Sequence, residues 1–145
     1  MLVAATEGCL EEHMAKEFPV SHTGPHCVYI SGPHTNGGKI KDTAIHERNA
    51  EKAIGIGRMI AFRGHNIYVP HAATGPYDGE WGYEEFMELD FTFIRKWASA
   101  LYRIPGESVG ADREVALARE LGIPVWECAQ DVPYLRYHPG ATVCV

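Results

Sequence analysis

Four short apolar segments, separated by longer stretches of helical character, constrain the fold of this chain more than any other feature of its sequence. Each has the length and composition of a buried strand. They cover residues 27–31, 66–69, 100–104 and 123–126. Gly or Pro directly follows the first three segments. This order predicts a parallel sheet whose strands are joined by right-handed crossovers.

Three stretches between the strands have the apolar periodicity or the boundary residues of helices. They cover residues 43–63, 83–97 and 109–121. We therefore expect an α/β protein, a small Rossmann-like (flavodoxin-like) doubly wound parallel sheet with a strand order near 2-1-3-4. In such a sheet the ligand binds beyond the carboxyl ends of the strands, where the order reverses. The loops at that point are 32–39 and 105–110.

The length of 145 residues fits one compact domain. We expect a leader over residues 1–26 and a single domain over 27–145. The net charge of −6 disfavours a protein that binds a nucleic-acid backbone, because that function needs a basic surface. No apolar segment approaches the roughly 20 residues that cross a bilayer, so we expect no membrane partner.

The four cysteines are scattered and form no C-x-x-C pair, which predicts reduced thiols and a cytoplasmic protein. His22, His26 and Cys27 lie close together in the sequence, but no second group of ligands completes a tetrahedral site. We therefore expect no bound metal.

Two carboxylates stand in positions that suit catalysis. Asp90 is four residues after Phe86 and four before Ile94, so it lies on the apolar face of its helix. A buried Asp is costly unless it is paired or functional; the alternative is a loop cap or a partner of an arginine. Glu114 falls in the first turns of the third helix, whose positive end should keep it ionised. Such a carboxylate suits a nucleophile or a general base, but it is also an ordinary helix-start residue.

Three loops are candidates for substrate contacts. The loop after the first strand offers glycine amides and polar side chains that can hold a phosphate, although it matches no standard phosphate-binding pattern and is also typical of a flexible turn. Its candidate residues are Gly32, His34, Asn36, Gly38 and Lys39. Ser108 and Gly110 form a second polar loop, which is also a plain helix cap. The loop from His71 to Tyr83 includes Trp81, on which a nucleobase could stack; an aromatic lid or a dimer contact is the alternative.

Several short elements occur here in a recognisable order. They are Tyr29-Ile30-Ser31-Gly32-Pro33, Gly64-His65, Asp90, Ile104-Pro105-Gly106, and the run from Glu107 to Glu114. Together they resemble the nucleoside 2-deoxyribosyltransferase-like superfamily, over about residues 27–126. This superfamily includes deoxyribosyltransferases, 2′-deoxynucleoside 5′-phosphate N-hydrolases and cytidylate N-glycosidases. The motifs are similar to those of members found in phages and bacteria.

The resemblance implies roles for individual residues. It makes Glu114 the nucleophile, Asp90 the group that handles protons, and Tyr29 the side chain that orients Glu114 or the sugar. Ser108 matches the serine that contacts a 5′-phosphate in the hydrolases, where the transferases tend to carry an aspartate. His34 and Lys39 stand where the hydrolases often have an arginine. The resemblance also implies that no cofactor is needed and that the protein is a homodimer or larger.

The resemblance therefore implies a hydrolase that cleaves the N-glycosidic bond of a (deoxy)nucleoside 5′-monophosphate. Chemistry of the retaining type places the two carboxyl groups about 5 to 5.5 Å apart. His71 and Trp81 are further expected contacts of the nucleotide. Two alternatives stay open, a deoxyribosyltransferase that exchanges bases and a nucleotide-binding module without turnover.

Overall fold

The computed structural model describes residues 25–34, 43–77 and 79–135. Four strands and four α-helices are found there, with two short 3₁₀ turns at Gly75–Tyr77 and Ala129–Asp131. The elements are β1 (Cys27–Ser31), α1 (Thr43–Phe62), β2 (Asn66–Tyr68), α2 (Pro70–Ala73), α3 (Tyr83–Lys96), β3 (Ala100–Arg103), α4 (Val109–Glu120) and β4 (Val125–Trp126). The expected leader, apart from residues 25 and 26, and most of loop 32–39 lie outside the described residues.

The strands form one sheet in the order β2-β1-β3-β4, and every neighbouring pair is parallel. This confirms the predicted doubly wound α/β fold and its strand order. In the register Tyr29 pairs with Tyr68 on one side and with Leu101 on the other. The order reverses between β1 and β3, so the carboxyl ends of these two strands frame the expected ligand crevice.

Alternate residues of β1 divide the core between the two faces of the sheet, as the two-residue period of a strand requires. Val28 and Ile30 pack with Ala53 and Ile60 of α1 on one face. Tyr29 packs on the other face with residues of α3 and α4, including Ile94 and Ala118. The helices that carry Asp90 and Glu114 therefore cover the same face as Tyr29.

The end of the described chain returns to the amino-terminal edge of the sheet. The Arg63 guanidinium donates hydrogen bonds to the backbone carbonyls of Ala129 and Val132 and lies over the ring of Tyr134. Val132 is fully buried in the α1 face of the core. This segment therefore closes the edge opposite the carboxyl ends of the strands, away from the crevice.

Most elements end one residue before the expected boundary, and the structure differs by more than that at two places. The loop expected from His71 to Tyr83 begins with helix α2, because Pro70 occupies the first helical turn, where its fixed φ and missing N–H are favourable. Strand β4 is limited to Val125–Trp126, since Pro124 has no N–H for the ladder, although its carbonyl accepts from Leu101. Among the described residues, no helix is long and apolar enough to cross a membrane.

Candidate active site

Glu114 lies in helix α4 on the face that packs against the sheet. Ala111 is three residues before it and Ala118 four residues after it, and both are buried. This spacing places all three side chains on one helix face. Glu114 is therefore only 5% exposed, which is rare for a glutamate without a function or a partner.

Strand β1 supplies two hydroxyl donors to this carboxylate. The Tyr29 hydroxyl donates to Oε2 of Glu114 at 2.6 Å, and the Ser31 hydroxyl donates to Oε1 at 2.8 Å. Tyr29 and Ser31 are two residues apart on the strand, so their side chains leave the same face. With one donor at each oxygen, the carboxyl plane of Glu114 is fixed.

Ser31 is a functional candidate that the sequence analysis did not identify. Its hydrogen bond to Glu114 joins residues that are 83 positions apart in the chain. No local sequence pattern predicts such a contact. One signal was present in the sequence, a small hydroxyl two residues after Tyr29 at the end of a buried strand. The two-residue period of the strand would have placed both hydroxyls on one face.

Asp90 approaches Glu114 from helix α3. It lies three residues after Met87 and four before Ile94, and these two are the buried residues of that helix. Asp90 is thus on the inward face, as its position in the sequence predicts. Its Oδ1 is buried and has no hydrogen-bond partner among the described residues. The carboxyls of Asp90 and Glu114 are close enough for each to shift the pKa of the other.

Burial dominates the electrostatics of this pair. It raises the pKa of Asp90 to about 6. It also raises the pKa of Glu114 to about 8, with a further increase from the Asp90 charge, while the hydrogen bonds from Tyr29 and Ser31 act in the opposite direction. The expectation that the start of α4 keeps Glu114 ionised is therefore wrong for the free protein. Between these two pKa values the pair holds one proton.

Tyr29 remains a donor throughout this range. Its side chain is fully buried, and burial together with the neighbouring Glu114 and Asp90 charges raises its pKa well above the ordinary value. A phenol that stays protonated can hydrogen-bond to a carboxylate, and this bond strengthens as negative charge develops on the acceptor.

Both carboxyls open into one cavity of about 420 Å³ at the carboxyl ends of the strands. The loop after β1 contributes Gly32 and His34 to its wall, and α2 contributes His71. Gly32 lies close to the end of β3, because a Cβ at this position would be only 2.8 Å from the Cβ of Ile104. A side chain at residue 32 would therefore force the loop after β1 or Ile104 to shift.

The start of α4 forms another part of the wall, through Ser108 and Gly110. Ser108 is the N-cap of the helix, and its Oγ accepts a hydrogen bond from the Ala111 N–H at 3.1 Å. The hydroxyl hydrogen of Ser108 is still available to a ligand, because the cap uses the oxygen only as an acceptor. Ser108 thus serves as the helix cap and as part of the cavity wall.

Some predicted residues are not at this wall. Trp81 does not line the cavity; it stacks on Tyr77 with ring centroids 4.7 Å apart and contacts Phe86, which does line it. Asn36, Gly38 and Lys39 lie outside the described residues. Apolar lining from α3, chiefly Phe86 and Met87, was not predicted as part of a site, because on a helix such residues signal core packing.

Arg113, which follows no obvious pattern in the sequence, joins the two helices that carry the carboxyls. Its guanidinium forms an ion pair with Glu84 of α3 at 3.0 Å and lies over the rings of Tyr83 and Phe91. The pair is at the surface, so its contribution to stability is small. Its place in the fold is a tie between α3 and α4 beside the cavity.

Comparisons with protein-family models, curated proteins and solved structures found no match. Within residues 25–34, 43–77 and 79–135, no group of three or more histidine, cysteine or acidic side chains could hold a metal ion. The chemistry open to the site is that of two neighbouring carboxyls, a buried Glu114 and a half-buried Asp90, that together hold one proton near neutral pH, beside a polar helix start and an apolar wall.

Proposed function

We propose that this protein is an N-glycosidase that hydrolyses the bond between base and sugar in a (deoxy)nucleoside 5′-monophosphate. The observation that carries the proposal is that Asp90 and Glu114, from two different helices, meet at one cavity with the Glu114 carboxyl held by Tyr29 and Ser31. Two carboxyls with one shared proton supply the nucleophile and the acid that retaining glycosidic cleavage requires.

In the first step the single proton of the pair lies on Asp90, and the ionised Glu114 attacks C1′ of the sugar. The C1′–N bond breaks, its electron pair goes to the base, and the proton of Asp90 is transferred to the departing base. The product is an ester between Glu114 and the sugar. The transition state has oxocarbenium character, which the nearby carboxylate charge stabilises.

In the second step water resolves the ester. Asp90, now ionised, removes a proton from the water while the water oxygen attacks C1′. The bond between C1′ and the Glu114 oxygen breaks, and the carboxylate regains its hydrogen bonds from Tyr29 and Ser31. The final products are the free base and (deoxy)ribose 5-phosphate, and Asp90 again holds the proton for the next cycle.

The phosphate binds at the start of α4 and the loop after β1. Ser108 and the first residues of the twelve-residue helix α4 line the cavity, and a helix N-terminus favours an anion. Binding energy at this remote group can assist the chemical step at C1′. The protein works in this proposal as a homodimer or larger assembly in the cytoplasm, without a cofactor.

The test is a panel of ribo- and deoxyribonucleoside 5′-monophosphates, assayed by chromatography for free base. Wild-type protein should release base from at least one member of the panel, Glu114→Ala should release none, and the exposed Glu51→Ala should match wild type. Circular dichroism should show that both variants fold. Turnover that survives in Glu114→Ala overturns the nucleophile.

The same assay separates the alternatives. An added free base that becomes a new nucleotide or nucleoside identifies a base-exchanging transferase. Binding of nucleotides without any release of base identifies a binding module. Only release of free base together with (deoxy)ribose 5-phosphate supports the hydrolase.

A further inference from the structure

His71 is held in one orientation at the cavity wall. It follows Pro70 in α2, its side chain is only 8% exposed, and its Nε2 lies 2.9 Å from the carbonyl oxygen of Pro33. A carbonyl oxygen can only accept, so Nε2 carries the hydrogen and donates it. The hydrogen bond between α2 and the loop after β1 thus fixes the ring and its tautomer.

The other ring nitrogen is a hydrogen-bond acceptor. Burial lowers the pKa of His71, against the backbone carbonyls of Pro33 and Gly32, which raise it. This favours the neutral imidazole, in which Nδ1 holds a lone pair. This atom is buried, and it has no hydrogen-bond partner among the described residues. Thr74, on the same wall, does not supply one, because its hydroxyl donates to the carbonyl of Pro70 at 2.8 Å.

A buried acceptor without a donor is costly, and such atoms in native proteins call for an explanation. We infer that Nδ1 of His71 accepts a hydrogen bond from a neutral donor group of the ligand, either a sugar hydroxyl or a base N–H. A phosphate cannot be this donor. It is mostly a dianion near neutral pH, so it has no hydrogen to donate, and its oxygens would repel the lone pair of Nδ1. This inference rests on the proposed function and deepens it, because it assigns the wall at His71 to the sugar or base rather than to the phosphate.

Two substitutions separate the acceptor from the structural role of the ring. His71→Gln keeps an N–H near the Nε2 position for the Pro33 carbonyl but has no acceptor at Nδ1. His71→Asn places an amide oxygen near Nδ1 and loses the donor to Pro33. If Nδ1 accepts a hydrogen bond from the ligand, His71→Asn should still discriminate between ligands with and without that donor. His71→Gln should not.

The experiment is calorimetric titration with matched ligands. The sugar arm compares the adenosine, guanosine, cytidine and uridine 5′-monophosphates with their 2′-deoxy and 3′-deoxy counterparts. The base arm compares adenosine 5′-monophosphate with purine riboside 5′-monophosphate, which lacks the amino group. Wild-type protein should discriminate within one arm by about tenfold to a hundredfold, since the analogue without the donor leaves Nδ1 unpaired. His71→Gln should bind both members of that pair equally.

The outcomes distinguish the two proposals. Discrimination in the sugar arm assigns Nδ1 to a hydroxyl, and discrimination in the base arm assigns it to an N–H. Equal discrimination by wild type and His71→Gln overturns the role of Nδ1 while base release still supports the glycosidase. Absence of binding by every nucleotide overturns both proposals.

Discussion

The Tyr29 hydroxyl donates a 2.6 Å hydrogen bond to Glu114, although 85 positions of the chain separate the two residues. The bond spans the interface between the central strand β1 and helix α4, and both side chains are buried. Such a contact requires the correct strand order and the correct face of the sheet at once. It therefore connects the topology of the fold directly to the orientation of the proposed nucleophile.

Removal of either hydroxyl donor should weaken Glu114 as a nucleophile. Tyr29→Phe and Ser31→Ala each delete a hydrogen bond that favours the ionised carboxyl, so each should raise the pKa of Glu114 further and lower kcat by roughly tenfold at neutral pH. The acid limb of the pH–rate profile should move to higher pH. Ser31→Thr, which keeps the hydroxyl, should restore that limb, and an unmoved limb in Ser31→Ala would show that Ser31 serves packing alone.

The pH dependence of base release follows from the pKa values of the two carboxyls. The active state holds one proton, with Glu114 ionised and Asp90 protonated. Asp90 has the lower pKa, about 6 against about 8 for Glu114, so this state is the minor one of the two one-proton states of the pair. Both one-proton states are most populated between the two values, because their ratio does not change with pH. The rate should therefore have a maximum in this range. It falls at lower pH as the pair binds a second proton and at higher pH as the pair loses its only proton.

Asp90→Asn tests this assignment. The amide cannot donate an acidic proton, so kcat should fall by about 10² to 10⁴. The alkaline limb of the pH–rate profile should disappear, because the acid whose ionisation produces it is removed. The limb that remains should report the titration of Glu114 alone, because the Asp90 charge that raises the pKa of Glu114 is gone. An alkaline limb that persists in Asp90→Asn would assign the proton donor to another group.

Glu114 should also limit the stability of the folded protein at alkaline pH. Its pKa in the folded state is raised from an ordinary value of 4.5 to about 8, so the folded state binds more protons than the unfolded state across this window. Stability is then largest at the acid end and is lost as the pH rises through the window. Glu114→Gln should remove much of this loss and raise the free energy of unfolding at pH 9 by on the order of 2 kcal/mol.

Urea denaturation at pH 5 and pH 9 measures this difference. The exposed Glu51→Gln is the matched control, since it removes a carboxyl of the same chemistry from the surface, and it should change little at either pH. A Glu114→Gln protein no more stable than wild type at pH 9 would show that the cavity solvates this carboxylate well. The gain in stability with loss of activity is the trade-off typical of active sites.

The sequence was sufficient for the fold because its signals are local. Apolar runs such as 27–31 end at Gly or Pro, so the ends of the strands can be located in the sequence. With the right-handed crossover rule, only a few sheet topologies are then compatible with the chain. The inward position of Asp90 also followed from helical periodicity. The hydrogen bond from Ser31 to Glu114 could not be predicted in this way, because it depends on the position of α4 along the sheet. The predicted charge state of Glu114 was wrong for a related reason. Burial affects the pKa of Glu114 more than its position near the start of the helix does, and the depth of burial is known only from the packing of the folded chain.

Ser108 provides a test of where the phosphate binds. Its side chain is the N-cap of α4 and lines the cavity, and both Asp and Asn are good N-cap residues. Ser108→Asp therefore keeps the helix start and adds a negative charge that repels a phosphate dianion. KM for nucleoside 5′-monophosphates should rise by at least tenfold, while turnover of the unphosphorylated nucleoside should be unchanged or increased. Ser108→Asn keeps the cap without the charge, so it should leave KM within a few-fold of wild type. An equal rise of KM in both variants would place the phosphate elsewhere in the cavity.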